Sequence, residues 1–314
     1  MYIYCPSCKD RKNICIGEIP QVKVIQGIEL ENHTLRSKLY KCKECNLYFR
    51  YPRHTIIEHD RLYKKASLEC LNYNFANRKD WQLSTKWINR INSGGSIIDI
   101  GCWDGSFLEK FGEDWKPYGI EINIQAASKA RDRGITILAE NFSDISQLNS
   151  NFNVVTAFDV IEHVENPLSF VENLSKITED DGLIIISSGN TEAITWKIMG
   201  SKYSYCTNPE HISFINSPWC YYVAKRLNLN IEYIKKFSHS EINNVGQFLI
   251  GSMTNIIYLI SPALIKISRK IKSIYLQKEN IYTSSKSPPP WRGSNDHIII
   301  FLRKADNAKT KSSH

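Results

Sequence analysis

At 314 residues, with 42% hydrophobic and 23% charged residues, the chain has an ordinary globular composition, which excludes wholesale disorder. Its net charge of +8 is uneven: +3 over residues 1–60, −4 over 61–234 and +9 over 235–314. The basic end suits an anionic partner such as RNA, a membrane surface or a phosphorylated substrate, and it equally suits a solvated tail. The start, "MYIYCPSC", has no basic n-region or long apolar run, so no signal peptide is expected. No stretch in the first 240 residues is apolar enough to span a bilayer.

Four of the nine cysteines form two Cys-x-x-Cys pairs, Cys5/Cys8 in "YCPSCKD" and Cys42/Cys45 in "YKCKECNLYFR". Two intervening residues let a tight turn aim both sulfurs at one ion, and two such turns supply a closed tetrahedral zinc site. The 33 residues between the pairs carry short β-like runs, as a zinc ribbon would, and Tyr48, Phe49 and Tyr51 are placed to pack over the second turn. A redox dithiol, the alternative, needs only one pair beside a βαβ unit. The remaining cysteines are scattered and read as small hydrophobes. Residues 1–55 are therefore expected to form a zinc-ribbon module. Residues 56–95 form a mainly helical lead-in ended by "NSGG", and residues 96–314 form the main domain.

From Ser96 apolar runs alternate with helical patterns. "SIIDI", "PYGIEI", "ITILAE", "FNVVTAF" and "LIIISSGN" read as strands. "SFLEKFGEDW", "NIQAASKARDRG" and "NPLSFVENLSKITEDDG" read as helices, the last two closed by glycines. This rhythm predicts a parallel sheet covered by helices on both faces, with ligands at the carboxyl ends of the strands. The first such end is the turn from Asp99 to Gly105. A dinucleotide fingerprint needs G-x-G-x-x-G, but here Trp103 fills the middle and Asp99 would repel a pyrophosphate. A ligand presenting a cation fits better.

"DIGCWDGSFL" resembles the first motif of class I S-adenosylmethionine-dependent methyltransferases, usually Asp-x-Gly-x-Gly-x-Gly. "YGIEIN", "AENFSDI" and "FDVIEHVENPLSFVENLSKITEDDGLIIIS" are similar, in order, to that family's later segments, and "DHIIIFLRK" to its last strand. The resemblance implies an α/β, Rossmann-like methyltransferase fold with a mostly parallel seven-stranded sheet, plus the small zinc ribbon, and S-adenosylmethionine as cofactor. It implies that Asp99, Gly101, Trp103 and Gly105 line the cofactor, and that Glu121, 22 residues after Asp99, takes the ribose hydroxyls. Glu140, Asn141 and Phe142 read the adenine, with Asp144 a lesser candidate, and Asp159 follows the fourth strand. Glu162-His163 follows the pattern of an "EH" subgroup. Trp103 departs from the family pattern, as a wall against the cofactor or as an outward lid contact. Blander roles stay open: Asp99 as a helix cap, Glu121 as a strand-end acid, His163 as a hydrogen-bonded core histidine.

The aromatic and polar mix from Trp196 to Phe214 reads as an acceptor-side loop. His211, in "NPEHISF", is the expected general base, with His163 a further catalytic candidate and Tyr203, Tyr205 and Glu210 secondary ones. His211 as a mere loop-ordering group is the alternative. "SPWCYYVAKRLNLN" reads as a helix and "IEYIKKF" as the sixth strand.

Around residues 240–290 lies a basic apolar insertion. "VGQFLIGSMTNIIYLISPALIKI" has no charge before Lys266, and it reads as a helical hairpin or as an interfacial segment with its basic end on anionic lipid. The expected activity is O-methylation of a sugar or related hydroxyl in a surface-glycan or metabolite pathway. The expected partners are a small-molecule or glycan acceptor and, as a candidate, an anionic membrane surface. The expected location is cytoplasmic, with a peripheral position at the inner membrane face as a variant. An RNA methyltransferase, with RNA as the weaker partner, and a non-catalytic zinc-binding scaffold are the alternatives. The sequence leaves the oligomeric state open.

Overall fold

The computed structural model describes residues 3–21, 24–25, 28–29, 35–53, 78–140, 142–148, 151–239, 245–268, 289 and 295–304. Most of the lead-in, Asn141, residues 240–244 and 269–288 of the basic apolar insertion, most of the proline-rich loop "KSPPPWRGSND" that precedes the last strand, and the basic tail from residue 305 lie outside the described residues.

The main sheet has seven strands: β6 (Gly95–Ile100), β7 (Trp115–Ile120), β8 (Thr136–Ala139), β9 (Phe152–Phe158), β10 (Thr178–Gly189), β12 (Leu229–Phe237) and β13 (His297–Lys304). Their order is β12-β13-β10-β9-β6-β7-β8. Every pairing is parallel except those of β13, which is antiparallel to both β10 and β12. The parallel sheet expected from the alternation, and the mostly parallel seven-stranded Rossmann-like form implied by the resemblance, are thus present.

These strands are apolar on both faces because each face is covered. Ile98, Ile100, Val155, Ile184, Ile186 and Ile300 meet the helices α3 (Pro167–Lys176) and α6 (Ser217–Arg226). Their neighbours Ile97, Val154, Ile185, Ile299 and Phe301 face α1 (Lys79–Ile91) and α2 (Ile124–Asp132). The period-2 alternation of side chains sends each set to its own face. Burying one such isoleucine contributes about 1.5–3 kcal/mol. Asn123, Asn166 and Asn216 cap α2, α3 and α6 by accepting backbone N–H bonds, which ties each loop to its helix.

Two sequence expectations are corrected. "SFLEKFGEDW" forms no α-helix, only a 3-10 turn over Leu108–Lys110. Its three aromatics are instead used as packing: Phe107 and Phe111 meet edge to face at 5.4 Å, and Phe111 lies 5.4 Å from Trp115. "ITEDDG" does not end the preceding helix. β10 begins at Thr178, where its pairing with β9 slips before Leu183, so Gly182 lies within a strand.

The N-terminal region contains β1 (Asn13–Ile19), a strand the sequence reading did not identify, a short hairpin of β2 (Val24–Ile25) and β3 (Ile28–Glu29), then β4 (Ser37–Cys42) and β5 (Tyr48–Tyr51). Its sheet, β1-β4-β5-β11, takes its fourth strand, β11 (Ser213–Phe214), from the main domain, where Ser213 pairs with Phe49. The side chains of Cys5, Cys42, Cys45, Leu47 and Phe49 belong to the same buried cluster as Ile184 and Trp219. The ribbon is therefore built into the main core.

Candidate active site and metal centre

The strand order reverses between β6 and β9, and both of these strands end in acids. Asp99, at the end of β6, is 3% exposed and accepts a hydrogen bond from Thr156 Oγ1 on β9 at 2.6 Å. Burial pushes its carboxyl up to about 8, with Thr156 and Arg78 pulling the other way. Glu121 follows β7 and is buried; its Oε2 accepts the Trp103 N–H at 2.9 Å and its Oε1 the Asn123 N–H at 2.7 Å. Burial raises it to about 7 against those backbone donors.

The turn itself is made of left-handed residues: Gly101 at φ 78°, Trp103 at 51° and Gly105 at 79°. A β-carbon on Gly105 would stand 2.8 Å from Ile135 Cγ1, so this position excludes other residues on two counts. Trp103 holds the same φ > 0 conformation without a glycine's freedom, at a cost of about 1 kcal/mol or more. Its N–H to Glu121 is the bond that pins it there. Trp103 is half-buried.

Asp159 follows β9, also with positive φ, 54°. Burial alone would raise its carboxyl, but Arg78, His297 and His239 hold it down to about 2. Arg78 Nη2 donates to Asp159 Oδ2 at 2.7 Å and also to the fully buried Asp80. Asp80 in turn accepts Ser187 Oγ at 2.7 Å. Asp159 Oδ1 is buried and has no hydrogen-bond partner among the described residues. Asp80, Asp159 and His239 bring ligand atoms within 4.8 Å of one another, but the Arg78 guanidinium already pairs with both carboxylates. No sequence motif marks this network, because "NRKDW" carries no recognisable spacing. A groove lined by Arg78, Trp81, Gln82, Lys86 and Lys110 runs beside α1 and shares only Arg78 with these groups.

The acceptor-side residues converge where β10 ends. Tyr205, on the short helix α5 (Ser204–Thr207), follows α4 (Ile194–Met199) and donates its hydroxyl proton to Glu162. Ser188 Oγ donates to the other Glu162 oxygen at 2.9 Å. Gly189 makes room for this: a β-carbon there would lie 2.5 Å from the Tyr205 ring. Burial raises Glu162 to about 7, reinforced by Asp159. His163 and His211 meet edge to face at 4.9 Å, and Tyr205 lies 4.2 Å from His211. His211 Nδ1 faces the Tyr205 carbonyl at 2.9 Å, which assigns the proton to Nδ1 and leaves Nε2 as an acceptor toward the Asn208 amide at 3.2 Å. Burial, helped by His163, lowers His211 well below 6.5, so it is neutral at pH 7. Burial likewise lowers His163. Glu162, His163 and His211 bring ligand atoms within 4.8 Å of one another, a span that a divalent cation could bridge. Glu210 is buried beside them, and Tyr203 packs on Trp196 at 5.2 Å.

The remaining sequence candidates lie elsewhere. Glu140 is exposed and pairs with Arg131 at 3.3 Å. Phe142 and Asp144 fall in a 3-10 turn, Phe142–Gln147, whose first side chains are not described.

Arg50 of β5 was not singled out by the sequence reading. It is 3% exposed, and its guanidinium donates to the carbonyls of Cys206, Asn208 (2.9 Å) and His211 (3.2 Å). A ribbon side chain thus holds the loop that carries His211. No local pattern distinguishes such an arginine, since its partners lie more than 150 residues away.

The four ribbon cysteines bring their Sγ atoms within 4.8 Å of one another, with Cys5–Cys45 and Cys8–Cys42 both at 3.5 Å. Tetrahedral zinc with Zn–S near 2.3 Å needs sulfur separations of about 3.8 Å. The residue after each pair, Lys9 and Asn46, is left-handed at φ 61° and 62°, so the two turns are built alike. These four residues fit a closed zinc site. Both turns are docked on α6: Trp219 Nε1 donates to Ser7 Oγ at 3.1 Å, and Asn216 Nδ2 to the Asn46 carbonyl at 2.9 Å.

A family profile described as a methyltransferase domain matches residues 76–233. Among curated relatives, the chain is 30% identical over 133 residues to a mitochondrial ubiquinone biosynthesis O-methyltransferase of Dictyostelium discoideum, covering 36% of this chain and 41% of that protein. It is 25% identical to the ubiquinone biosynthesis O-methyltransferase of Dechloromonas aromatica, over 56% of this chain and 82% of that one. The chain spans about half the length of several such relatives, 41% to 56%. A solved SAM-dependent methyltransferase of Thermotoga maritima, described as a possible histamine N-methyltransferase, aligns with a TM-score of 0.48 at 14% identity, covering 78% of this chain and 98% of that one. With its profile match extending over half its length, the chain belongs to the methyltransferase domain family.

Proposed function

We propose that this protein binds S-adenosylmethionine at the β6/β9 switch point and transfers its methyl group to a hydroxyl of a small-molecule acceptor. When bound, the cofactor supplies an electrophilic methyl on a sulfonium. Asp99 and the unpartnered Oδ1 of Asp159 offer acceptors for its cationic end. Glu121, whose two oxygens are held by backbone N–H groups, keeps lone pairs for ribose hydroxyls. Neutral His211 takes the acceptor proton at Nε2 once the Asn208 amide gives up that lone pair, while the Tyr205 carbonyl holds the ring through Nδ1–H. The observation that carries this reading is the convergence of His163, Tyr205 and His211 on the end of β10, beside the Arg78–Asp159 network. Zinc on the four cysteines is structural in this reading, since all four ligands come from the protein.

A sugar hydroxyl is the finer reading of the acceptor. Transfer of labelled methyl into a lysate, counted in small-molecule, glycan-lipid and RNA fractions, tests it. Label confined to RNA would overturn the hydroxyl acceptor proposed here.

The acids make a second prediction. With Asp99 pushed to about 8 and Glu121 to about 7, the folded state holds protons that the unfolded chain has lost above pH 4.5. These two groups therefore make stability fall as pH rises from about 4 to 8. A cation beside Asp99 favours its carboxylate, so S-adenosylmethionine binding at pH 7 is expected to release up to about one proton per chain. Calorimetry in two buffers of different ionisation heat measures this; identical heats would exclude the pairing.

A further inference from the structure

The helix α7 (Val245–Ile260) is inside out. Its outward face carries Leu249, Ile250, Met253, Ile256, Ile257 and Ile260, with Ile250 65%, Met253 61% and Ile260 78% exposed. Leu264 and Ile267 continue the stripe. One polar group points the other way: Asn255 is fully buried and donates back to the Gly251 carbonyl. A helix on a water-facing surface shows the opposite arrangement.

The helix is anchored. Tyr258 and Ile265 are buried in a cluster with Trp196, Tyr203, Cys206 and Phe214 of the acceptor side and with Ile19 and Leu39 of the ribbon. Both ends of the excursion meet at one point, because Phe237 at the end of β12 pairs with His297 at the start of β13. That point is the carboxyl end of the parallel strands, where the candidate site lies. The geometry also excludes a crossing of the bilayer by this helix. Sixteen residues at 1.5 Å each reach about 24 Å, short of the roughly 30 Å hydrocarbon core. No helix among the described residues is long and apolar enough to span.

Charge selects the partner. Between Glu241 and Glu279 the sequence has no acidic residue and five basic ones, Lys266, Arg269, Lys270, Lys272 and Lys278. A second copy of this chain would bring the same positive charge against itself, whereas an anionic lipid surface complements both the apolar stripe and the basic end. We infer that α7 docks this protein on an anionic membrane surface, with its apolar face in the headgroup–acyl boundary and the acceptor side of the site turned toward the lipid. This docking does not depend on the chemistry proposed above.

The test is sedimentation of the full chain with vesicles of phosphatidylcholine alone or with phosphatidylglycerol. Binding to the anionic vesicles is expected to be at least about tenfold tighter than to neutral ones and to weaken with salt. The double variant Ile250→Glu with Met253→Glu is expected to lose at least about tenfold of that binding. Both positions face outward, so its melting temperature should match the parent. Lys266→Glu is expected to weaken binding to the anionic vesicles only. Absence of sedimentation with anionic vesicles, or binding indifferent to the double variant, overturns the inference. So does a dimer in light scattering that the double variant abolishes while vesicle binding is absent, since the face would then join two copies.

Discussion

Stripping the metal from the four-cysteine site, or replacing Cys45 with serine, is expected to lower the melting temperature by at least about 10 °C and to abolish methyl transfer. Apparent zinc affinities of about 10–16 kcal/mol make such a site part of the folding free energy. The loss would not stay local here. The two cysteine turns are tied to α6 through Ser7, Asn46, Asn216 and Trp219, and Cys5, Cys42 and Cys45 lie in the main core. β5, next to the second turn, pairs with β11 and carries Arg50, which holds three carbonyls of the His211 loop. An unseated ribbon would leave those buried carbonyls unpaired, at about 1–3 kcal/mol each. Metal analysis of the purified chain and a melt with and without chelator check this. One zinc per chain with a large shift supports it; a metal-free protein with an unchanged melt rejects both zinc and its role.

His211→Asn is expected to reduce the rate of methyl transfer by roughly 10²–10⁴-fold while leaving cofactor affinity unchanged. The substitution removes the proton acceptor but spares the switch-point acids. The same reading places the acid limb of the parent's rate profile below pH 6.5, because burial and His163 keep His211 neutral down to a lower pH than an exposed imidazole. Rate against pH, with the cofactor dissociation constant measured separately, distinguishes a lost base from a disturbed fold. A variant with near-parental rate assigns His211 to ordering the loop through Tyr205 and Asn208.

The local signals in this chain were those with a short physical range. Strand-to-turn spacing around Asp99 and Gly105 is fixed by backbone conformation within a few residues, and the structure shows the left-handed turn the glycines require. Cys-x-x-Cys spacing is likewise a local device. The helix expected after the motif failed for a non-local reason: Phe107, Phe111 and Trp115 are drawn into an aromatic cluster with Trp81 and Phe158, and that packing overrides helical periodicity. The strand β1 was missed because "NICIGEI" alternates weakly and leaves Ile14 and Ile16 exposed.

By itself the sequence determined the sheet's alternation, the first motif, the acids at the ends of β6 and β7 and the four-cysteine framework, since each depends on residues close in the chain. Only the tertiary structure decided what surrounds them. The Arg78–Asp80–Asp159 network spans 81 residues between Arg78 and Asp159. The Arg50 clamp reaches across 161 residues to the His211 carbonyl. The outward turn of α7's apolar face depends on where Tyr258 and Ile265 find their core. Burial raises the carboxyls of Asp99, Glu121 and Glu162 and is outweighed at Asp159 by the neighbouring cations. Burial is a property of the packed whole, which no window of sequence contains.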